Sequence, residues 1–202
     1  MFKTATALLP LLLAAVQATA GNDSKPAQIS RKGILQWVDT RIGTAGHGHT
    51  FMGVAAPFGA VQLGPGNFNK GWDWCSGYHE SDSTVIGFSH THLSGTGIGD
   101  LFDVTVMPVV GEVTCARGVE EDPQSGLWSY ADRSKEVVEP GYYSVPLSRY
   151  GITAEMTATS RVGLHRYTFP ASDDAAVVFD LENGGCWDKA TETHLAKEAT
   201  GR

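Results

Sequence analysis

Residues 71–100 hold most of the side chains in this 202-residue chain that could do chemistry. The stretch GWDWCSGYHESDSTVIGFSHTHLSGTGIGD contains two Trp, one Cys, three His and six Gly. Imidazoles can donate or accept hydrogen bonds, bind metal, or carry charge near neutral pH. Tryptophan offers a flat apolar face with one N–H donor, and glycine allows positive φ and close approach of the main chain. This combination predicts the wall of a polar pocket, and we interpret it as a wall that recognises a sugar.

Trp72, Asp73, Trp74 and Tyr78 have side chains suited to carbohydrate. A pyranose stacks its C–H face on an aromatic ring, and its hydroxyls need carboxylate or amide partners. The alternative for any Trp is burial in the core. If the segment is a strand, neighbouring residues face opposite sides. We therefore expect one indole in the core and the other, Trp72, in the pocket.

Two His-x-His pairs raise a metal hypothesis, His47 with His49 and His90 with His92. Residues i and i+2 of a strand share a face, so each pair could present two imidazoles to zinc or copper. The alternative is that these rings hydrogen-bond to backbone carbonyls or sugar hydroxyls and hold the glycine-rich loops. We favour the alternative, and no metal site is predicted in this chain.

The sequence gives weaker support to candidate catalytic acids, bases and nucleophiles than to the sugar-binding residues. Asp73, Asp82, Asp100 and Asp103 could serve as acids, bases or acceptors, but no spacing selects the pair of carboxylates that glycoside hydrolysis requires. Cys75 has no recognisable base nearby in the sequence. No catalytic residue is therefore predicted.

Composition bounds the remaining function classes. The net charge of −7 and the absence of a Lys/Arg cluster argue against nucleic acid as a partner. Residues 1–20 have the charged start, short apolar run and A-x-A ending of a signal peptide, and residues 21–33 are typical of a flexible linker. We expect a secreted or periplasmic protein without a membrane anchor. With three cysteines, at least one is free or pairs outside this chain, and a bridge between Cys115 and Cys186 stays open.

Short β-type segments separated by turns occupy residues 34–202, which predicts an all-β sandwich with long glycine-rich loops. Strands are expected at 59–63, 85–90, 101–110, 141–147, 151–159 and 162–169, with a buried strand at 175–181. Pro108 suggests an edge or a bulge. The signal helix is the one helix expected, and residues 189–202 are predicted to be a polar tail or a cut end of a longer sequence.

Several motifs together carry a family resemblance: GTAGHGHTFMG at 43–53, APFGAVQLGP at 56–65, the stretch at 71–100, and the VMP that follows. They resemble the N-terminal domain of glycoside hydrolase family 92, a family of exo-α-mannosidases that act on N-glycans. The resemblance implies a β-sandwich of the supersandwich type followed by a larger (α/α)6 catalytic domain.

The resemblance also implies a reaction, namely calcium-dependent inverting hydrolysis with a Glu general acid and an Asp general base. Ca²⁺ would be held mainly by the larger domain, so none is expected in this chain. The implied partners are an α-mannoside glycan and the C-terminal catalytic domain. The implied roles are substrate binding for one set of residues and pocket or domain-interface loops for a second. The first set is Trp72, Asp73, Cys75, His90 and His92, and the second is Gly46, His47, His49 and Phe51.

Family members are several times longer than this chain. Because the segment with the acid, the base and the calcium ligands is missing from the sequence, the resemblance implies that these 202 residues alone are inactive. One alternative is a free-standing carbohydrate-binding module. Another, ranked last, is a secreted metalloenzyme that uses the His-x-His pairs.

Overall fold

The computed structural model describes residues 33–181 and 183, and these residues form an all-β fold without any α-helix. Single turns of 3-10 helix occur at Ile34–Trp37, Trp72–Trp74 and Arg133–Lys135. The strands are β1 (Val54–Ala55), β2 (Gln62–Gly66), β3 (Thr84–Val85), β4 (Gly87–Ser89), β5 (Thr105–Val110), β6 (Ser129–Tyr130), β7 (Val137–Glu139), β8 (Tyr142–Leu147), β9 (Ile152–Ala158), β10 (Gly163–Thr168) and β11 (Ala175–Asp180).

The strands form two main antiparallel sheets that share one core. One sheet has the order β1-β2-β4-β5-β11 and the other β10-β9-β8-β7, while β3 and β6 make a separate pair. Leu63, Phe88 and Met107 of the first sheet are fully buried in one cluster with Val145 and Ile152 of the second. This face-to-face packing confirms the predicted sandwich.

The strands predicted between residues 141 and 181 are confirmed within a residue or two, whereas β2 and β5 begin three and four residues later than the predicted strands at 59–63 and 101–110. β9 buries Ile152, Ala154 and Met156 and turns the intervening side chains outward, as its alternating sequence predicts. A strand does form within the predicted residues 175–181, but the prediction that this strand is buried is wrong. β11 lies at the edge of its sheet, and Val177 and Phe179 are 41% and 66% exposed because no described element covers their face.

Two local predictions are also corrected. Pro108 lies in β5, which is flanked by β4 and β11 and is therefore not an edge strand. The short β4 pairs with β5 only at Val106, so Pro108 lies beyond that ladder. The single strand expected at 85–90 is split at Ile86, where Gly87 adopts φ +137° and an added Cβ would lie 2.3 Å from Thr105 Cγ2.

Other predictions fall outside the described residues. These are the signal peptide, nearly all of the linker, Cys186 and the polar tail. None of the helical segments in residues 33–181 has the length and apolar character of a membrane span. Neither Cys75 nor Cys115 forms a disulfide with another described cysteine.

Candidate functional site

Three glycine-rich segments, residues 46–51, 71–75 and 92–100, meet at one corner of the sandwich. The Gly95 N–H donates to the His49 carbonyl at 2.7 Å, and the Asp100 N–H donates to the Cys75 carbonyl at 2.6 Å. The Cys75 thiol donates to the Thr96 carbonyl at 3.3 Å. Main-chain bonds between loops thus fix the positions of the side chains that the sequence singled out.

Trp72 presents a half-exposed indole at this corner, with 51% of the residue accessible. The segment is a 3-10 turn and not the strand assumed from the sequence, yet Trp72 is still the outward indole. Trp74 is half-buried, stacks on His79 and donates to Asp82 Oδ2 at 2.9 Å. The glycine at position 97 keeps space beside the Trp72 indole, because an added Cβ would lie 3.2 Å from Nε1.

Two histidines flank that indole and share the neighbouring carboxylate. His49 meets Trp72 edge to face with ring centroids 4.2 Å apart, and the His47 ring lies 5.6 Å away. His47 Nδ1 lies 2.5 Å from Asp73 Oδ1, and His49 Nε2 lies 3.7 Å from the same oxygen. The two side chains of the first His-x-His pair, His47 and His49, therefore come together at the Asp73 carboxylate.

Asp73 is held in its charged form. The hydrogen bond from His47 is the largest influence on the pKa of its carboxyl group and lowers it, while partial desolvation opposes that effect. An ionised carboxylate is a hydrogen-bond acceptor with spare lone pairs. Asp73 can therefore accept hydroxyl protons from a ligand that lies against Trp72.

His49 has an unusual backbone and an unused ring nitrogen. Its φ is +52°, a conformation that is uncommon outside glycine and that clusters at functional positions. Its side chain is only 6% exposed, and among the described residues Nε2 has no hydrogen-bond partner. The Asp73 carboxylate lies 3.7 Å from Nε2, so this nitrogen is buried beside a charged group and is closed to a ligand.

Behind this surface lies a buried layer around His92. The Phe51 ring stacks on His92 with centroids 4.7 Å apart. His92 Nδ1 lies 2.5 Å from Asp100 Oδ2, and its Nε2 lies 3.0 Å from Ser89 Oγ. Both His92 and Cys75 are buried, and burial raises the pKa of the Cys75 thiol. In this chain, the two residues therefore support the wall from behind.

His90 is separated from His92 although the sequence places them two residues apart. β4 ends at Ser89, so the strand rule that i and i+2 share a face does not apply. The His90 ring turns toward β10, where its Nε2 lies 3.2 Å from His165 Nε2. Gly46, with φ +54°, is exposed in the loop before His47.

Sequence reasoning did not pair Asp100 with His92, and it did not identify Gly97 or His165. Asp100 was only one of several acidic residues, and its burial is a consequence of tertiary packing. His165 lies 75 positions from His90, a separation at which no local spacing rule operates. The one hint that the sequence offers for His165 is a histidine on a partly exposed strand.

At the Trp72 corner the indole is about half exposed to solvent. Two surface hollows of 210 and 500 Å³ lie elsewhere, one beside Tyr142 and Arg166 and the other beside Arg149 and Tyr150. Neither is lined by Trp72 or Asp73. Within residues 33–181 and 183, no three His, Cys, Asp or Glu side chains are grouped as a metal site.

Comparison with known proteins assigns the family. Residues 37–202 match the glycosyl hydrolase family 92 N-terminal domain. This chain belongs to family 92. A fungal relative from Arthroderma benhamiae, described as an uncharacterized secreted glycosidase, is 34% identical over 150 residues, which are 68% of this chain and 17% of that protein.

Solved family 92 enzymes share the fold as well. An α-mannosidase from Bacteroides thetaiotaomicron in complex with mannoimidazole is 42% identical, with a TM-score of 0.68 over 71% of this family 92 chain and 19% of the enzyme. A second protein from the same organism, described as an inverting mannosidase, is 28% identical with a TM-score of 0.58 and covers the same shares. The chain thus spans about a fifth of the length of these relatives.

Proposed function

We propose that this chain forms one wall of the substrate pocket of a secreted family 92 α-mannosidase. The observation that supports this most directly is the half-exposed Trp72 indole beside the ionised Asp73 carboxylate. Family membership and the similarity to two mannosidases support an α-mannoside as the ligand. The relative named as a secreted glycosidase supports export.

The geometry gives each side chain a separate task. The Trp72 indole would stack against the C–H face of a mannose ring, and Asp73 would accept hydrogen bonds from ring hydroxyls. His49 packs edge to face against the Trp72 indole and would hold that ring in place for stacking. His47 holds the Asp73 carboxylate in place and keeps it charged.

The proton transfers are proposed to come from a C-terminal catalytic domain. Inverting hydrolysis needs one carboxylic acid to protonate the leaving oxygen and one carboxylate to activate water. Neither role is assigned to a described residue, so we expect the 202-residue chain alone to be inactive. Calcium is likewise proposed to bind in that domain. The described residues hold no grouped set of ligands for it, and no step is derived through it.

The test is mutagenesis of the wall in the protein that includes its C-terminal domain. For Trp72→Ala we expect kcat/KM on an α-1,2-mannoside to fall about 10- to 100-fold, because the aromatic contact with the ring is lost. For Asp73→Asn we expect a fall of about tenfold, because a charged acceptor becomes neutral. Trp37→Phe, which alters another strongly exposed indole, is the control and should leave kcat/KM unchanged.

An unchanged kcat/KM in a correctly folded Trp72→Ala enzyme would remove the basis of the proposal. A binding experiment on the 202-residue chain alone distinguishes this proposal from the alternative, a free-standing carbohydrate-binding module. Saturable quenching of Trp fluorescence by α-1,2-mannobiose below about 10 mM, lost in Trp72→Ala, would favour the module. Absence of quenching, with activity restored by the C-terminal domain, would favour a wall that needs its partner.

A further inference from the structure

Two histidines from different sheets face each other outside the Trp72 wall. His90 follows β4 of the five-stranded sheet, and His165 lies on β10 of the four-stranded sheet. Their Nε2 atoms are 3.2 Å apart, and both residues are partly accessible to solvent. The proposed sugar site does not use this pair.

The other nitrogen of each ring is already engaged. His90 Nδ1 lies 2.6 Å from the Val104 carbonyl oxygen, which can only accept, so Nδ1 carries the proton and Nε2 presents a lone pair. His165 Nδ1 lies 2.8 Å from the Tyr167 hydroxyl, which can accept a hydrogen bond from Nδ1–H and so leave a lone pair on Nε2. Metal-binding histidines typically have their second nitrogen bonded to such a carbonyl or other acceptor, which fixes the tautomer and orients the ring.

A direct N–H···N hydrogen bond is the competing explanation of the close approach. A linear bond of this length between two imidazoles would place the ring centroids about 5.5 Å apart. The observed separation is 4.9 Å with the rings inclined by 36°, so the nitrogens do not point straight at each other. Two nitrogens that share one tetrahedral ion at about 2.0–2.1 Å would be about 3.3 Å apart, with centroids about 5.2 Å apart.

We propose that His90 and His165 form a two-histidine binding site for a borderline divalent transition-metal ion, with Zn²⁺ as the expected occupant. Imidazole nitrogen suits zinc, copper and nickel and is a poor match for calcium or magnesium. With two protein ligands, water molecules would fill the remaining positions. An ion bound here would link the end of β4 to β10 and so join the two sheets of the sandwich.

The experiment is a calorimetric titration of the metal-free, untagged 202-residue chain with ZnCl₂. We expect one equivalent of Zn²⁺ to bind, and we expect His90→Gln and His165→Gln each to weaken binding at least tenfold. His47→Gln is the matched control, since it removes an exposed histidine of the other site and should leave the affinity unchanged. Binding that survives in both His90→Gln and His165→Gln, or no saturation below about 1 mM, would overturn the proposal.

A measurement on the unmutated chain covers the case in which a variant fails to fold. Zinc should shift the ring ¹⁵N signals of two histidines on the Nε2 side, and these should be assigned to His90 and His165. Shifts confined to other histidines would contradict the site. Tyr167→Phe removes the hydroxyl at His165 Nδ1 and should reduce the affinity about tenfold while keeping one equivalent.

Discussion

Asp100 and His92 are the most deeply buried ionisable pair at the candidate site. Their side chains are 1% and 0% exposed, and Nδ1 lies 2.5 Å from Oδ2. Asp100 also accepts from the Phe102 N–H, and the His92 ring stacks on Phe51. Removal of either partner would leave the other polar group buried without its hydrogen bond. We therefore expect this pair to stabilise the layer of residues that supports the wall.

Substitution of Asp100 tests this role. We expect Asp100→Ala to lower the free energy of unfolding by about 3–5 kcal/mol, because His92 loses its acceptor in a site closed to water. Asp100→Asn should cost less, because an amide oxygen can still accept from Nδ1. Urea denaturation measures both.

Asp173→Ala, at an exposed position, is the control and should change stability by no more than about 0.5 kcal/mol. A loss below about 1 kcal/mol in Asp100→Ala would mean that the pair does not stabilise the fold.

At the level of elements, the β9–β10 hairpin carries the clearest pH-dependent contact. Glu155 and Arg166 are directly opposite in the ladder, and Arg166 Nε donates to Glu155 Oε2 at 2.6 Å. Tyr142 on β8 donates to Oε1 at 2.6 Å. The Arg166 hydrogen bonds, followed by that of Tyr142, lower the pKa of Glu155 to about 2.

This shift predicts a pH dependence with a defined sign. A pKa lower in the folded state than in the unfolded state stabilises the fold above about pH 4.5, and the contribution is lost as the pH falls toward 2. Arg166→Gln should raise the pKa of Glu155 toward its ordinary value of 4.5 and flatten stability over that range. The Arg166 side chain is 73% exposed, so screening by solvent should keep the effect on unfolding small.

Carboxyl ¹³C titration gives the pKa directly, and urea denaturation at pH 6 and pH 3 gives the stability. Arg161→Gln removes the same charge from the turn of the same hairpin, and it should leave the Glu155 titration unchanged. A Glu155 pKa that stays near 2 in Arg166→Gln would show that Arg166 is not its cause.

Elements were more predictable than contacts for a physical reason. β9 could be read from the sequence because alternation of Ile152, Ala154 and Met156 is a local pattern. The exposure of Trp72 was also predicted, although its segment is a turn. The contact of His90 with His165 depends on how two sheets pack, and the burial of Asp100 depends on three loops meeting. Such contacts leave no local signal.

At the scale of the whole molecule, the five-stranded sheet ends, within the described residues, at β11, an edge strand with exposed apolar side chains. This strand forms the edge of the five-stranded sheet, and Phe179 and Val177 share its exposed face. An edge strand with exposed apolar side chains is a template for pairing with another chain. The exposed apolar side chains of β11 therefore make this face a site for contact between copies of the chain.

The isolated 202-residue chain should therefore self-associate through β11. We expect light scattering after size exclusion to show a mass that rises with concentration, and Phe179→Lys to shift the distribution toward monomer. The thermal midpoint should hardly change, because the Phe179 side chain is already exposed. Ala175→Lys is the control, because it places the same charge on the same face but keeps the Phe179 ring. A smaller shift toward monomer in Ala175→Lys than in Phe179→Lys would show that loss of the apolar ring contributes beyond charge repulsion. A wild-type chain that stays monodisperse and monomeric at about 100 µM would contradict self-association through β11.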